Sequence, residues 1–558
     1  MCGIFSILNN DNDFTDKFVT DQFLKGKNRG PEHTSLKNIT IKCEFGFHRL
    51  AINGLNVESN QPIIIDEISL ICNGEIYNYK ELYELMDITA TTDSDCEIII
   101  HLYKKYGIDQ TLQMLDGVFA FILCDYSINN LESKIFIARD PFGVRPLYKL
   151  TPKHMNNSFD NICVFASELK VLSNFYNGLI DTHNIQHFQP GTYSQYKLPF
   201  KVSAKWQLIE ENIIYHSNGF NSIMHLSELE QVIILNIQYH FINAVKKRVI
   251  NTDRPVACLL SGGLDSSLVT ALVSKELQNS NTILSTFSIG LKDSEDLKYA
   301  KIVADYLGTK HREIIITEQT IFDNIPNVIK AIETFDTTTV RASIGNYLLG
   351  KYITNFSDAK VIFNGDGSDE LTGGYLYMNL ADNCVEFDRE TRRLIKDIHM
   401  FDVLRSDKCI SSHGLEPRTP FLDRTFVNYY LGIHPSIRFH TPDNKMEKHL
   451  LRMAFSSSYY LTEKNIPLLP DEILWRKKEA FSDGISKTNS FAQIIETFLS
   501  EDEELIKKIS SSIGNTLEQK YYRYLFDSFY PNTSNIVPYM WMPKYIKATD
   551  PSARANNL

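Results

Sequence analysis

Short apolar runs set off by polar turns dominate the first 200 residues, and several alternate apolar and polar positions as half-buried antiparallel strands do. The runs are Gly3 to Leu8, Ile39 to Ile52, Ile63 to Cys72, Val118 to Cys124 and Lys134 to Ala138. Helical spacing is rarer here and is found at Phe14 to Lys25 and Asp95 to Tyr106. After Trp206 a polar stretch, Glu210 to Asn221, precedes a long helical pattern from Leu226 to Val249, which places a domain boundary between them. From Arg254 the texture changes. Val256 to Leu260, Ile283 to Ile289 and Lys360 to Phe363 are apolar runs bracketed by helical segments. That is the pattern of a parallel sheet covered on both faces by crossover helices. No internal repeat or long low-complexity segment interrupts it.

A chain of 558 residues exceeds the length at which one hydrophobic core keeps growing, so two or more domains are expected. Hydrophobic residues at 43% and charged residues at 22% match an ordinary globular protein. A formal net charge of -11 argues against a surface built chiefly for nucleic acid. The nine cysteines, Cys2, Cys43, Cys72, Cys96, Cys124, Cys163, Cys258, Cys384 and Cys409, form no C-x-x-C pair and sit mostly within apolar runs. They read as buried free thiols of a reducing compartment. There is no basic leader, and no run approaches the ~20 apolar residues of a membrane helix. A cytoplasmic protein with neither membrane nor nucleic-acid partners is expected.

The chemistry begins at Met1-Cys2-Gly3-Ile4-Phe5. Removal of the initiator methionine would leave Cys2 with a free α-amine of pKa ~7.7 to 8.0, so thiol and base would share one residue. Position alone decides little. Arg49 closes the strand Phe45-Gly46-Phe47-His48-Arg49-Leu50, Asn73-Gly74-Glu75-Ile76-Tyr77-Asn78 follows an apolar run, and Ser94-Asp95-Cys96-Glu97 opens a helix. Taken singly, Asn73-Gly74 reads as a hairpin turn and Asp95 as a helix N-cap. Together, behind a cysteine at position two, they resemble the class II glutamine amidotransferase domain, an N-terminal-nucleophile hydrolase fold of stacked antiparallel sheets between helices. The resemblance implies that Cys2 attacks the glutamine amide, with Asn73 and the Gly74 N–H as oxyanion hole, each donor commonly worth ~3 kcal/mol in the transition state. It implies Arg49 for the glutamine α-carboxylate, and Glu75 and Asp95 for the α-ammonium. Arg29-Gly30-Pro31-Glu32 matches a further family loop, with Glu32 in place of the usual Asp, and His48 stands where many members carry Glu. Slightly altered loop packing is expected from both.

In the second half, Val256 to Leu260 runs into Ser261-Gly262-Gly263-Leu264-Asp265-Ser266-Ser267 and a helix at Leu268 to Leu277. Glycines there let backbone N–H groups and a helix N-terminus converge on an anion. The segment is not a Walker loop and resembles the pyrophosphate loop of enzymes that split ATP into AMP and pyrophosphate. Asn364-Gly365-Asp366-Gly367-Ser368-Asp369-Glu370 follows a second strand and is expected to face the same site. By resemblance, Leu259, Ser261, Gly262, Gly263, Asp265, Ser266, Ile289, Gly365 and Lys478 bind ATP, with Leu259, Ile289 and Gly365 at the adenine. Asp265 and Asp369 would hold Mg2+, whose hard-oxygen preference suits them. Thr337, Thr338 and Arg341, within Glu333 to Ser343, would bind aspartate. Lys478, within Trp475 to Gly484, would neutralise the departing pyrophosphate.

Both halves occur in the order of the glutamine-hydrolysing asparagine synthetases of the B type, and the end from Trp541-Met542-Pro543-Lys544 to Asp550-Pro551-Ser552-Ala553-Arg554 resembles their eukaryote-type members. The resemblance implies residues 2-205 as the amidotransferase domain, 206-225 as a linker and 226-558 as an α/β ATP-pyrophosphatase domain of the adenine nucleotide alpha hydrolase-like kind. It implies aspartate, glutamine and ATP as substrates, a β-aspartyl-AMP intermediate, internal transfer of ammonia and a homodimer. Asp366 stands where the family usually has Glu. One methylene withdraws the carboxylate by about an ångström, which can cost ~100-fold in rate for a directly acting group, so a working but slower synthetase is expected. Amidation of another carboxylate, and a binding protein with a decayed site, remain as other readings.

Overall fold

The computed structural model describes residues 1–126, 132–153, 161–199, 204–217, 229–278, 282–441, 444–478 and 491–547. Expectations for Glu479 to Gly484, for the start of the long helix at Leu226 and for Asp550 to Arg554 lie outside the described residues. The chain divides into two units, one of Met1–Ser217, Ser411–Leu415 and Asp527–Pro538, the other of Asn218–Ile410, Glu416–Phe526 and Tyr539–Leu558.

The first unit holds β1 (Gly3–Leu8), β2 (His33–Thr40), β3 (Cys43–Arg49), β4 (Ile63–Ile65), β5 (Ile68–Ile76), β6 (Gly117–Asp125), β7 (Glu132–Arg139), β8 (Tyr148–Pro152), β9 (Cys163–Ala166), β10 (His183–His187), β11 (Thr192–Pro199) and β12 (Gln207–Ile214). They form two six-stranded antiparallel sheets, ordered β10-β8-β9-β1-β3-β2 and β12-β11-β7-β6-β5-β4. Successive residues of β6 point to opposite faces. Ala120, Ile122 and Cys124 join Ile4, Phe45 and Phe47 of the other sheet in one core. Phe119, Phe121 and Leu123 join Leu82, Ile99 and Leu102 of the covering helices Tyr79–Met86 and Ile98–Met114 in another. Both faces of the central strands are therefore buried, and the half-buried alternation expected of them gives way to β1 and β6 with almost no exposed position.

Local differences have local causes. The run Ile39 to Ile52 turns at Lys42 and the run Ile63 to Cys72 at Asp66, both in the left-handed region (φ 59° and 52°), so each run holds parts of two strands. The helix expected over Asp95 to Tyr106 begins as a 3-10 turn at Asp95–Glu97 and continues through a kink at Gly107 to Met114. The start of the polar stretch after Trp206 is β12, paired antiparallel with β11.

The second unit is built on β13 (Val256–Leu259), β14 (Ser285–Leu291), β15 (Lys310–Ile316), β16 (Val361–Phe363) and β17 (Glu416–Arg418), ordered β15-β14-β13-β16-β17. Every pairing is parallel. Crossovers carry the helices Leu264–Gln278, Glu295–Leu307, Glu318–Ile332 and Thr337–Phe356. Because β13 and β16 are neighbours, the loops leaving their carboxyl ends lie side by side, the position at which open α/β sheets bind ligands. A Cβ on Gly365 would come within 2.8 Å of the Asp265 Cβ.

Candidate active site

Cys2 immediately precedes β1 and is half-buried. Its Sγ donates to the Leu50 carbonyl at 3.6 Å, and its own carbonyl accepts from Arg29 Nε at 2.9 Å. Arg29 is 1% exposed and also pairs with Glu168 at 2.9 Å, so the Cys2 backbone is fixed by a buried ion pair. Met1 is buried as well.

Asn73 lies in the middle of β5, opposite Ala120. It is fully buried, yet neither Nδ2 nor Oδ1 has a hydrogen-bond partner. A buried amide left so costs ~1 to 3 kcal/mol, which a ligand oxygen would recover. Gly74 follows where a Cβ would lie 2.4 Å from the Val118 carbonyl oxygen, so glycine here serves close sheet packing, not a hairpin turn. Glu75 is buried, and its Oε2 accepts from Asn53 Nδ2 at 2.5 Å. Asp95 Oδ2 accepts from the Ile76 N–H at 2.6 Å, which holds Asp95 against the β5 residue that follows Glu75. Arg49, at the end of β3, donates from Nη1 to the Asn56 carbonyl and Asn60 Oδ1, both at 2.7 Å, and from Nη2 to the Gly54 carbonyl. The expected glutamine-binding residues thus gather on β3, β5 and the turn at Asp95.

The two departures in this unit are accommodated. Glu32 Oε2 accepts from the Ala51 N–H at 2.7 Å. His48 stacks on Phe23 at 4.0 Å, its Nε2 donating to the Phe23 carbonyl and its Nδ1 accepting from Thr34, both at 3.0 Å. Burial lowers its pKa to about 4, so the ring is neutral.

In the second unit, Gly262 has φ +73°, and a Cβ there would lie 2.4 Å from the Ala300 backbone nitrogen. The left-handed turn brings the Ser261 and Ser266 hydroxyls to 3.0 Å at the start of the helix Leu264–Gln278. Ser261, Gly263 and Ser266 line a cleft of about 550 Å³, part of it open to solvent. Lysines 448, 477 and 478 line it too. Arg476, also on the cleft, stacks on Tyr299 at 4.0 Å and donates to the Gly262 carbonyl at 3.2 Å.

Lys448 Nζ lies 2.5 Å from Asp265 Oδ2 and 2.6 Å from Asp369 Oδ1, while Lys478 Nζ lies 2.5 Å from Asp369 Oδ2. Burial alone would raise the pKa of Asp369, but Lys448 and Lys478 overcome it and hold the carboxyl well below the usual range. Burial likewise works against the charge of Lys478, and Asp369 and Asp265 push its pKa up regardless. Asp366 Oδ1 pairs with Arg405 at 3.0 Å, leaving Oδ2 buried without a partner. Burial, reinforced by Asp402 and Asp369, drives Glu370 toward its protonated form.

Leu259 and Ile289 are buried near the ends of β13 and β14. Thr337 opens the helix Thr337–Phe356, its hydroxyl buried and without a partner, while Thr338 is half-buried. Arg341 is held by Glu518 through Nε at 2.8 Å and Nη2 at 2.5 Å, an arrangement that a substrate carboxylate would have to displace. The sequence pattern does not single out Lys448, Arg405 or Asn53, and reaches Arg476 only as part of the stretch Trp475 to Gly484. Lys448 reaches Asp265 across 183 residues of chain, and no local pattern marks a lone lysine for such a contact.

The asparagine synthase family model matches residues 236–387 and 380–543, and the glutamine amidotransferase domain model matches residues 1–203. An asparagine synthetase [glutamine-hydrolyzing] from Cricetulus griseus is 40% identical over 577 residues, covering 99% of this chain and 98% of its own. The protein of that name from Homo sapiens matches at the same identity and coverage. A solved structure of glutamine-dependent NAD+ synthetase from Acinetobacter baumannii covers 61% of this chain and 54% of its own at 13% identity and a TM-score of 0.25, too loose a likeness to add anything. With one pair of family models spanning both units and relatives aligned from end to end, the chain belongs to the glutamine-hydrolysing asparagine synthetase family.

Proposed function

We propose that this protein makes L-asparagine from L-aspartate, L-glutamine and ATP, releasing L-glutamate, AMP and pyrophosphate. The observation that carries the reading is the presence, in a chain matched over 99% of its length, of both a buried unpaired amide at Asn73 and a lysine-lined cleft at Ser261 to Ser266.

Cys2 Sγ attacks the glutamine side-chain carbonyl carbon, and the α-amine unmasked by removal of Met1 takes the thiol proton. Asn73 Nδ2 and the Gly74 N–H stabilise the tetrahedral oxyanion. Collapse expels ammonia and leaves a γ-glutamyl thioester, which water hydrolyses to glutamate. Arg49 holds the substrate carboxylate, and Glu75 and Asp95 hold its ammonium.

In the second unit an aspartate β-carboxylate oxygen attacks the α-phosphorus of ATP, forming β-aspartyl-AMP and displacing pyrophosphate. Thr337, Thr338 and Arg341 orient the aspartate; Leu259, Ile289 and Gly365 line the adenine. Ser261, Gly262, Gly263 and Ser266, with Lys478, hold the phosphates. Ammonia then attacks the acyl carbon, AMP leaves, and the unpartnered Asp366 oxygen receives the proton that the new amide loses. Asp265 and Asp369 already converge on one cation, Lys448 Nζ, so their placement fits Mg2+ as well. No cluster of three or more His, Cys, Asp or Glu among the described residues could hold a metal unaided. Asp265 and Asp369 would hold a Mg2+ there, which would supply neutralisation of phosphate charge.

A cytoplasmic homodimer accompanies this reading. No helix among the described residues is long and apolar enough to cross a membrane. Measuring asparagine, AMP and pyrophosphate from glutamine, ATP and a panel of carboxylic acids tests the whole: one equivalent of each product with aspartate is expected. Amide formation on a different acid, with none on aspartate, would overturn the substrate.

A further inference from the structure

The loop between β3 and β4 carries asparagines at 53, 56 and 60, and each makes contacts at the glutamine end of the first unit. Asn53 Nδ2 donates to Glu75 Oε2 at 2.5 Å. The Asn56 carbonyl and Asn60 Oδ1 both accept from Arg49 Nη1 at 2.7 Å, and Asn56 Nδ2 donates to Asp93 Oδ2 at 2.7 Å. Gly54, at φ +60°, has its would-be Cβ 2.7 Å from the Asp93 carbonyl carbon, so the loop rests on the segment that leads into Asp95. One short loop therefore fixes both the cation for the carboxylate end of an α-amino acid and the carboxylate for its ammonium end.

The chemistry of the Asn53 contact is specific. An amide N–H donor orients a carboxylate without cancelling its charge, whereas a lysine or arginine would neutralise it. Asn53 thus holds Glu75, 4% exposed, through a contact that does not itself neutralise the carboxylate. We propose that Asn53 is a positioning residue that fixes Glu75 as acceptor for the glutamine α-ammonium, and that through it the loop selects amides bearing that group over amides lacking it. The proposal rests on the reading that Cys2 hydrolyses glutamine.

The test compares the full-length protein with Asn53→Ala on glutamine and on glutaramate, which has the same amide and carboxylate but no ammonium group. Asn53→Ala is expected to raise the KM for glutamine about tenfold, the loss of one charge-assisted hydrogen bond, with kcat nearly unchanged. Its kcat/KM for glutaramate should stay put, so the preference for glutamine falls about tenfold. Asn53→Ser, which keeps a donor on a shorter arm, should fall between. Asparagine synthesis from free ammonia should be unaffected in both variants and reports an intact fold. Equal losses on glutamine and glutaramate, or an unchanged preference, would overturn the proposal. Failure of the unaltered protein to release glutamate from glutamine would remove the underlying reading, and the proposal with it.

Discussion

Asn73, the proposed oxyanion-hole amide, is buried unpaired in the middle of a sheet, which makes it a stability liability. Asn73→Ala is therefore expected to lower kcat for glutamine hydrolysis roughly 100- to 1,000-fold while leaving the melting temperature unchanged or raised. A lowered melting temperature would instead assign the amide a structural partner. Asp366 poses the opposite question, since its shorter side chain is drawn to Arg405. Single-turnover formation of β-aspartyl-AMP and asparagine by Asp366→Glu should be faster than in the natural chain; no gain would mean that the lost methylene is already compensated. His48 gives a pH dependence. Its folded pKa of about 4 lies below the ordinary 6.5, so the unfolded state binds more protons between those values. Stability from this group is full above pH 6.5 and is lost as pH falls toward 4, by up to about 3 kcal/mol. Urea midpoints of the first unfolding transition at pH 7 and pH 5 should differ less in His48→Gln than in the natural protein.

At the scale of elements, the strands and helices that were legible in the sequence are those whose signal is burial. Val256 to Leu260 is apolar because β13 is covered on both faces, and Val118 to Cys124 because β6 lies between another sheet and a helical layer. β12 was not legible: it pairs through its backbone at a sheet edge with mostly exposed side chains, so it reads as a polar connection. The turns at Lys42 and Asp66 use left-handed residues other than glycine and left no turn signature. The loop after β13 was legible because only glycine satisfies its backbone. Gly262→Ala combines a left-handed φ with a Cβ 2.4 Å from a backbone nitrogen. It is expected to cut aspartate-dependent ATP–pyrophosphate exchange on the order of 100-fold, with glutamine hydrolysis retained. An unchanged KM for ATP in that variant would contradict the phosphate-cradle role.

At the scale of the whole molecule, local pattern reading reached its limit where distant segments meet. Cys2, Asn73, Asp265 and Lys478 stand in short recognisable segments, whereas Lys448 and Arg405 join their sites from remote helices and loops. The chain's return to the first unit at Ser411–Leu415 and Asp527–Pro538 likewise leaves no local trace. The central proposal is that glutamine, cleaved at a thiol in one unit, supplies nitrogen to an adenylated carboxylate bound in the other. It is tested most directly by Cys2→Ala, assayed for asparagine with aspartate and ATP and either glutamine or ammonium chloride as the nitrogen source. Asparagine should vanish with glutamine and continue at the natural rate with ammonium; undiminished output from glutamine would contradict the account.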